Sequence, residues 1–596
     1  MPEMSVAAVR RRWGSAAHRF RHLPRWARAG LALVAILLGI YLISRPTMSL
    51  AIMAIVVGAG FLVQGVLVLA VDEERPPEGA WWRRSRALDG GLWITAGLFI
   101  LLFLGLTVRL LAVVVAVALM ATGARQLIGS YRRTQSLDHR IADAAFGIAT
   151  IAFGLLALLW PDITLIIAAV VFGARLIMSG ATELWRAVRG GTVVPRPRRL
   201  RAPRGPLRIL GALCTVLVVV LAAAVSLAVR SETPVVDQFY AAPREVPHEP
   251  GKLIRAAPFT RDVPADAVGW RILYTTRRGD GASAVASAIV VVPRVGPGDW
   301  PVINWDHGTT GYAQICAPSL LPHPFDVGAL FVLPQIIERG WALVATDYIG
   351  LGTVGPHPYL VGKDSAYATL DALRAAKTLH AARLGDESVV WGHSQGGAAA
   401  LWTGALAKKY APELKIEGVA ALAPAANLPG LTGSLNQFIG GSVFASFVAA
   451  AYSATYSDVT WSEYIRPGAE PVVRAMSERC LTGAGLYVSV LDALSLTRDP
   501  DIFGESPTIG PLGRRLEENV PPATITVPLL IAQGDTDPIV LPAVQKSYIA
   551  RVRSAGEHVD YRTFAGEDHV GLVKPGSPLI PVLFSWTASR FATPVL

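Results

Sequence analysis

At 596 residues the chain is longer than one ordinary domain, and an apolar fraction of 52% with a mean hydropathy of +0.42 excludes a disordered or purely polar one. The net charge of +11 raises a nucleic-acid reading, but no groove-reading motif accompanies it. The basic excess lies in the N-terminal third, as arginines set between long apolar runs, with no lysine before Lys252. That pattern fits loops at a bilayer surface and excludes nucleic acid as the expected partner.

A spanning helix needs about 20 mostly apolar residues. Candidate spans are 29–44, 48–71, 91–107, 108–129, 143–160, 163–185 and 208–230, about seven helices. The first six form three hairpins with short connections: Ser44-Arg45-Pro46-Thr47, Gly105-Leu106-Thr107 and Trp160-Pro161-Asp162-Ile163. Proline cannot extend the preceding helix, so it marks the turn. Arg109 and Arg175 are the charged exceptions and are expected to snorkel or face the bundle. Shifting the first hairpin onto the third superposes Gly39 on Gly154, Pro46 on Pro161, Gly58 on Gly173 and Gly65 on Gly180. In the middle hairpin Gly123-Ala124-Arg125 echoes Gly173-Ala174-Arg175. Small residues at this spacing let membrane helices approach closely, and such repeats would build an all-α six-helix bundle.

This Gly- and Pro-marked pattern resembles the HdeD-like acid-resistance membrane protein family over residues 25–190. The resemblance implies an architecture and carries no catalytic site. Orientation follows from arginine: Arg10, Arg11, Arg12, Arg19, Arg21, Arg25 and Arg28 precede the first span. Arg83-Arg84-Ser85-Arg86, Arg132-Arg133 and the run Arg196 to Arg201 follow spans two, four and six. The positive-inside rule puts these on the cytoplasmic side. The expected organisation is a basic cytoplasmic tail (1–28), a six-helix membrane domain (29–190), a basic cytoplasmic linker (191–207), a seventh transmembrane helix (208–230) and an extracytoplasmic domain (234–596). No cleavable signal peptide is needed for that topology.

From about Pro234 the texture changes. Short β-branched runs appear at 284–292, 301–305, 342–346, 388–391, 418–422, 528–532 and 559–564, with helical runs at 365–382 and 396–410 among them. This alternation predicts an α/β domain on a mostly parallel sheet. Gly392-His393-Ser394-Gln395-Gly396 falls between a strand-like run and an Ala-rich helix. That is the setting of a nucleophile elbow, whose glycines allow strand and helix to come together. Serine needs a base to take its proton. The strand-like Ile531-Ala532-Gln533-Gly534 runs into Asp535-Thr536-Asp537, and Tyr561 to Phe564 runs into Glu567-Asp568-His569. Ends of adjacent parallel strands converge, so His569 is the expected general base and Asp537 its acid partner, with Asp535 the alternative. One of the two aspartates is expected to cap the helix near Pro542. Two N–H donors must face the developing oxyanion. Gln395, directly after the nucleophile, is one; the second is Thr309 or Thr310 in Asp306-His307-Gly308-Thr309-Thr310-Gly311, with Thr309 preferred. His307 and His393 are expected to support local hydrogen bonds, and His558 precedes its strand, at the wrong end for catalysis.

Together with Gln238-Phe239-Tyr240, Pro250 to Arg255, Cys316-Ala317-Pro318-Ser319 and Tyr367 to Ala376, these residues resemble the secretory lipase family (lipase A type) of α/β-hydrolases over residues 234–596. The resemblance implies a catalytic triad of Ser394, Asp537 and His569. Cys316 matches a family half-cystine, and Cys480 is its expected disulfide partner. Residues 425–522 are too long for a simple connection; a helical cap is expected, with Phe438, Phe444, Phe447, Tyr452, Tyr456 and Trp461 available to acyl chains. The expected activity is hydrolysis of a lipid or other carboxylic ester without metal or organic cofactor. Two alternatives stay open: an envelope acyltransferase, and a membrane stress-response or transport module whose hydrolase-like domain only binds.

Overall fold

The computed structural model describes residues 25–44, 97–102, 104–131, 137–189, 205–231 and 234–591, apart from 439 and 497–501, with isolated positions between 55 and 95. The expected span 48–71 lies almost wholly outside the described residues, as do the side chains of Arg109 and Arg175. The chain divides into two units, one holding Met1–Leu227 and the other most of the remainder.

The N-terminal unit contains α1 (Arg25–Ser44), α2 (Leu104–Ser130), α3 (Leu137–Leu159), α4 (Pro161–Arg189) and α5 (Gly205–Ser231). Pro161 opens α4, where its missing N–H costs nothing. Gly105-Leu106-Thr107, expected to be a connection, lies inside α2 instead; without a proline the backbone continues as helix. Glycine sets the helix pairing. A Cβ on Gly39 of α1 would lie 2.6 Å from the Gly173 carbonyl oxygen of α4, and one on Gly180 would lie 2.6 Å from that of Ala32. Between α2 and α3 a Cβ on Gly123 would lie 2.5 Å from the Gly147 oxygen, and one on Gly154 would lie 2.9 Å from that of Ala116. Such contacts let backbones touch where any side chain would hold them apart. They also correct the repeat alignment. Since Gly39 corresponds to Gly154, their partners correspond too: Ala116 matches Gly173 and Gly123 matches Gly180, one heptad from the pairing by Gly-Ala-Arg. Large apolar side chains face outward, including Leu33, Leu37, Ile148, Leu155, Leu217 and Leu221. Among the described residues, one helical stretch, Arg140–Leu159, is long and apolar enough to cross a membrane by length and composition.

The second unit is built on nine strands: β1 (Leu253–Phe259), β2 (Ala267–Arg277), β3 (Ser283–Pro293), β4 (Trp300–Asp306), β5 (Ala342–Ile349), β6 (Leu384–His393), β7 (Lys415–Leu422), β8 (Leu529–Gly534) and β9 (Asp560–Phe564). They form one sheet in the order β1-β2-β3-β5-β4-β6-β7-β8-β9. β1, β2 and β3 pair antiparallel, β3 meets β5 antiparallel, and β4 to β9 run parallel. The seven expected strands are present; β1 and β2 add an antiparallel edge. Helices α6 (Leu333–Glu338), α7 (Gly362–Lys377) and α8 (Gln395–Tyr410) connect the central strands.

Both sheet faces are covered, so the central strands read as apolar runs without alternation. Val390, Val344 and Ile531 pack on one face with α7 and α8; Val389, Leu343 and Ile303 pack on the other with Trp341 and Phe584. Each fully buried side chain of this size contributes roughly 1.5–3 kcal/mol. Between β7 and β8 lie α9 (Leu428–Ser434), α10 (Gly441–Thr455), α11 (Trp461–Tyr464), α12 (Glu470–Ser477), α13 (Gly483–Ser495) and α14 (Gly510–Glu518), before α15 (Pro542–Ser554) and α16 (Leu579–Ala588) close the chain.

Candidate active site

β6 runs to His393 and α8 starts at Gln395, so Ser394 alone makes the turn, at φ 57° and ψ −117°. A non-glycine residue there costs about 1–3 kcal/mol and persists only where its surroundings enforce it. They do: the Ser394 N–H donates to the Leu422 carbonyl at 2.9 Å, and the Ser394 carbonyl accepts from the Ala425 N–H at 3.0 Å. The flanking glycines let the backbones close. A Cβ on Gly392 would lie 2.0 Å from the Gly396 oxygen, one on Gly396 would lie 1.9 Å from the Asp306 oxygen, and one on Gly397 would lie 2.8 Å from Pro424.

Asp537 follows β8 and His569 follows β9, at the sheet end that carries the elbow. His569 Nδ1 lies 2.7 Å from Asp537 Oδ2, with both residues buried. Asp537 is fixed in turn: Oδ1 accepts the N–H groups of Ile539 and Val540, both at 2.9 Å, and Oδ2 accepts from Gln533 Nε2 at 3.0 Å. Asp535 is exposed and accepts from the Gly566 N–H at 2.7 Å, which ties the two loops together. Neither aspartate caps α15. The cap position is Leu541, which has no polar side-chain atom and makes no cap bond, and Pro542 in the first turn removes one of the N–H groups that would need a partner. His393 brings the second loop to the elbow: its Nε2–H donates to the His569 carbonyl at 2.8 Å, and the two rings are 4.7 Å apart. Burial pushes the His393 ring down to about 3, so it stays neutral. With Nδ1–H of His569 given to Asp537, its Nε2 is left to accept a proton.

Gln395 occupies the first helical position, where a backbone N–H has no carbonyl four residues back. Its side chain is buried; Nε2 lies 3.2 Å from His357 Nε2 and Oε1 has no protein partner. Thr309 follows β4, and its hydroxyl lies 3.0 Å from the Tyr359 hydroxyl. Thr310 is committed elsewhere: its Oγ1 donates to the Cys316 carbonyl at 2.8 Å, and its own carbonyl accepts from the Leu481 N–H at 2.8 Å. The disulfide Cys316–Cys480 closes the same junction, with Cα atoms 5.3 Å apart, and pins the loop after β4 to the segment between β7 and β8.

Ser394, Gln395 and Tyr359 line a cavity with Leu431, Leu435 and Phe444 of that segment. Its free volume is about 20 Å³, room for about one water. Of the aromatics expected to meet acyl chains, Phe444 lines it. Phe447 and Tyr452 are fully buried, Phe447 edge-on to Tyr359 with ring centroids 5.8 Å apart. His357 and Tyr359 escaped the sequence reading. The available signal was Gly355-Pro356-His357-Pro358, a proline-braced turn directly after β5.

A serine on a strained strand-to-helix turn, with a histidine–carboxylate pair tied to that elbow through His393, on a sheet of this order, defines an α/β-hydrolase. Comparison with known proteins agrees. Residues 325–595 match the family Secretory lipase, and residues 30–85, 88–156 and 145–222 match a short repeat of unknown function, DUF308. Lipase A of Moesziomyces aphidis is 25% identical over 364 residues, 56% of this chain and 76% of that protein. Lipase A of Arthroderma benhamiae is 25% identical over 371 residues, 58% and 77% of the two chains. Secreted triacylglycerol lipase LIP4 of Malassezia globosa is 28% identical over 302 residues, 47% and 63%. The solved structure of Candida antarctica lipase A in its closed state shares the fold, with a TM-score of 0.51 and 20% identity over 59% of this chain and 85% of that one. The C-terminal half thus matches the secretory lipase family and is a carboxylic ester hydrolase; the N-terminal half carries the DUF308 repeats of HdeD-like proteins.

Proposed function

We propose that this chain is a membrane-anchored serine lipase or esterase that hydrolyses lipid esters through an acyl-enzyme on the extracytoplasmic side. The 2.7 Å contact between His569 and Asp537, in a loop tied by its backbone to His393 next to Ser394, carries the reading. Ser394 Oγ attacks the ester carbonyl while His569 Nε2 takes its proton. Asp537 holds the ring by Nδ1 and stabilises the imidazolium. The N–H groups of Gln395 and Thr309 receive the oxyanion. Collapse expels the alcohol, which takes the proton from His569, and leaves an acyl group on Ser394. A water molecule, deprotonated by His569, then releases the carboxylic acid and restores the serine.

The helices between β7 and β8 act as a cap over the site, and they must shift to admit an acyl chain, since about 20 Å³ holds none. The relatives named for lipase and triacylglycerol lipase activity support a lipid ester as substrate. The anchor is an N-terminal bundle of seven spans, cytoplasmic at its N-terminus. Outward-facing leucines and isoleucines on α1, α3 and α5 and the arginine-rich connections support it. The disulfide supports an oxidising compartment for the hydrolase. Purified Ser394→Ala protein should lose turnover of a p-nitrophenyl ester while keeping its melting temperature; wild-type turnover in that variant refutes the mechanism.

A further inference from the structure

The five residues 355–359 after β5 touch both residues assigned above to the oxyanion hole. His357 is buried, with Nδ1 2.9 Å from the Ile349 carbonyl. A carbonyl only accepts, so Nδ1 carries the proton and Nε2 presents a lone pair. That lone pair is 3.2 Å from Gln395 Nε2, which donates to it. Two residues on, the Tyr359 hydroxyl lies 3.0 Å from Thr309 Oγ1, and the Tyr359 N–H donates to the His357 carbonyl at 2.9 Å.

We infer that His357 and Tyr359 form one clasp that positions both oxyanion donors, His357 through the side chain of Gln395 and Tyr359 through the hydroxyl of Thr309. The inference rests on the serine-hydrolase reading. The Gln395 side chain makes no other hydrogen bond among the described residues: it is 3% exposed and Oε1 has no protein partner. Without His357 both ends of the amide would be buried and unsatisfied, and the peptide plane carrying the Gln395 N–H would turn to relieve them. The clasp is itself rigid. A Cβ on Gly350 would lie 2.5 Å from the His357 nitrogen, Tyr348 stacks on the His357 ring with centroids 6.1 Å apart, and Tyr359 packs edge-on against Phe447. Burial holds the His357 ring down at about 3, so its lone pair persists at ordinary pH. These are positioning residues, since neither is assigned a bond to the reacting atoms.

The test uses full-length protein in detergent, with active sites counted by fluorophosphonate titration so that kcat is expressed per competent site. Deleting an oxyanion donor outright costs about 10²–10³ in kcat, and a loosened one should cost about tenfold or more. His357→Leu and Tyr359→Phe should each lower kcat about tenfold or more and leave KM for p-nitrophenyl butyrate within about twofold. His357→Gln, which can present an acceptor at the Nε2 position, should recover most of the loss. Should His357→Leu give no titratable sites, Tyr359→Phe, which removes one hydroxyl, decides. Unchanged kcat per site in the leucine and phenylalanine variants overturns the clasp while Ser394→Ala stays inactive. Equal loss in His357→Leu and His357→Gln also overturns it, by reducing His357 to a packing role. Activity in Ser394→Ala would instead overturn the reading beneath it.

Discussion

His569 Nδ1 and Asp537 Oδ2 are 2.7 Å apart, yet 31 residues separate the two positions in sequence and each stands on its own loop after its own strand. Asp535, two residues before Asp537, turns the other way to the Gly566 N–H. Asp537→Asn should therefore lower kcat by about 10⁴, since the amide can favour the wrong tautomer of the ring. Asp535→Asn should stay within about threefold, as expected of an exposed loop contact outside the chemistry. Comparable losses in the two variants would contradict the assignment.

The elbow glycines are bound by backbone and not by movable side chains. A methyl group on Gly396 would fall 1.9 Å from the Asp306 oxygen, whereas one on Gly576 would meet nothing within 4 Å. Gly396→Ala should cost about 3 kcal/mol or more, and Gly576→Ala should stay within about 0.5 kcal/mol. Thermal melts of the two proteins check this; equal melting temperatures would show that the elbow is looser than described.

Buried histidines give stability a defined pH dependence. Burial pushes His393 down to about 3 from its ordinary 6.5. The unfolded chain then takes up a proton as pH falls through about 6.5, while the folded chain does not until about 3. The contribution is whole above 6.5 and is lost toward 3. Asp347 and Asp364, pushed up to about 6 by burial, act in the opposite sense: their contribution is lost as pH rises through about 6. A difference measurement isolates the histidine. The melting temperature of wild type minus that of His393→Gln should fall between about pH 7 and pH 4.5. A constant difference would contradict a neutral buried ring.

In the N-terminal unit, a Cβ on Gly39 would strike backbone across the helix pair, whereas one on Gly30, on the same helix, would meet nothing within 4 Å among the described residues. Gly39→Leu should lower the thermal midpoint of the detergent-solubilised protein by several degrees, and Gly30→Leu should not. Equal tolerance would remove close glycine packing as the basis of that unit.

The parallel strands were legible because burial on both faces demands uninterrupted runs such as Val389-Val390-Trp391. β1 was not, because Leu-Ile-Arg-Ala-Ala-Pro-Phe mixes charge and proline as an edge strand can. The elbow and the two later loops were legible because each combines a strand run with a reactive residue at its carboxyl end. The clasp was not: a histidine between two prolines reads as a turn, and its contact with Gln395 exists only once β5 and β6 are brought together by β4. The heptad slip in the middle hairpin has a similar cause. Gly-Ala-Arg matches locally, but only the packing partner fixes which small residue is equivalent.

Fluorophosphonate labelling of intact cells with a membrane-impermeant probe, followed by mapping of the modified residue, tests chemistry and sidedness together. The account predicts covalent modification at Ser394 before permeabilisation and none in Ser394→Ala. Absence of label on Ser394 in folded protein would contradict an activated serine, and label that appears only after permeabilisation would contradict the extracytoplasmic site.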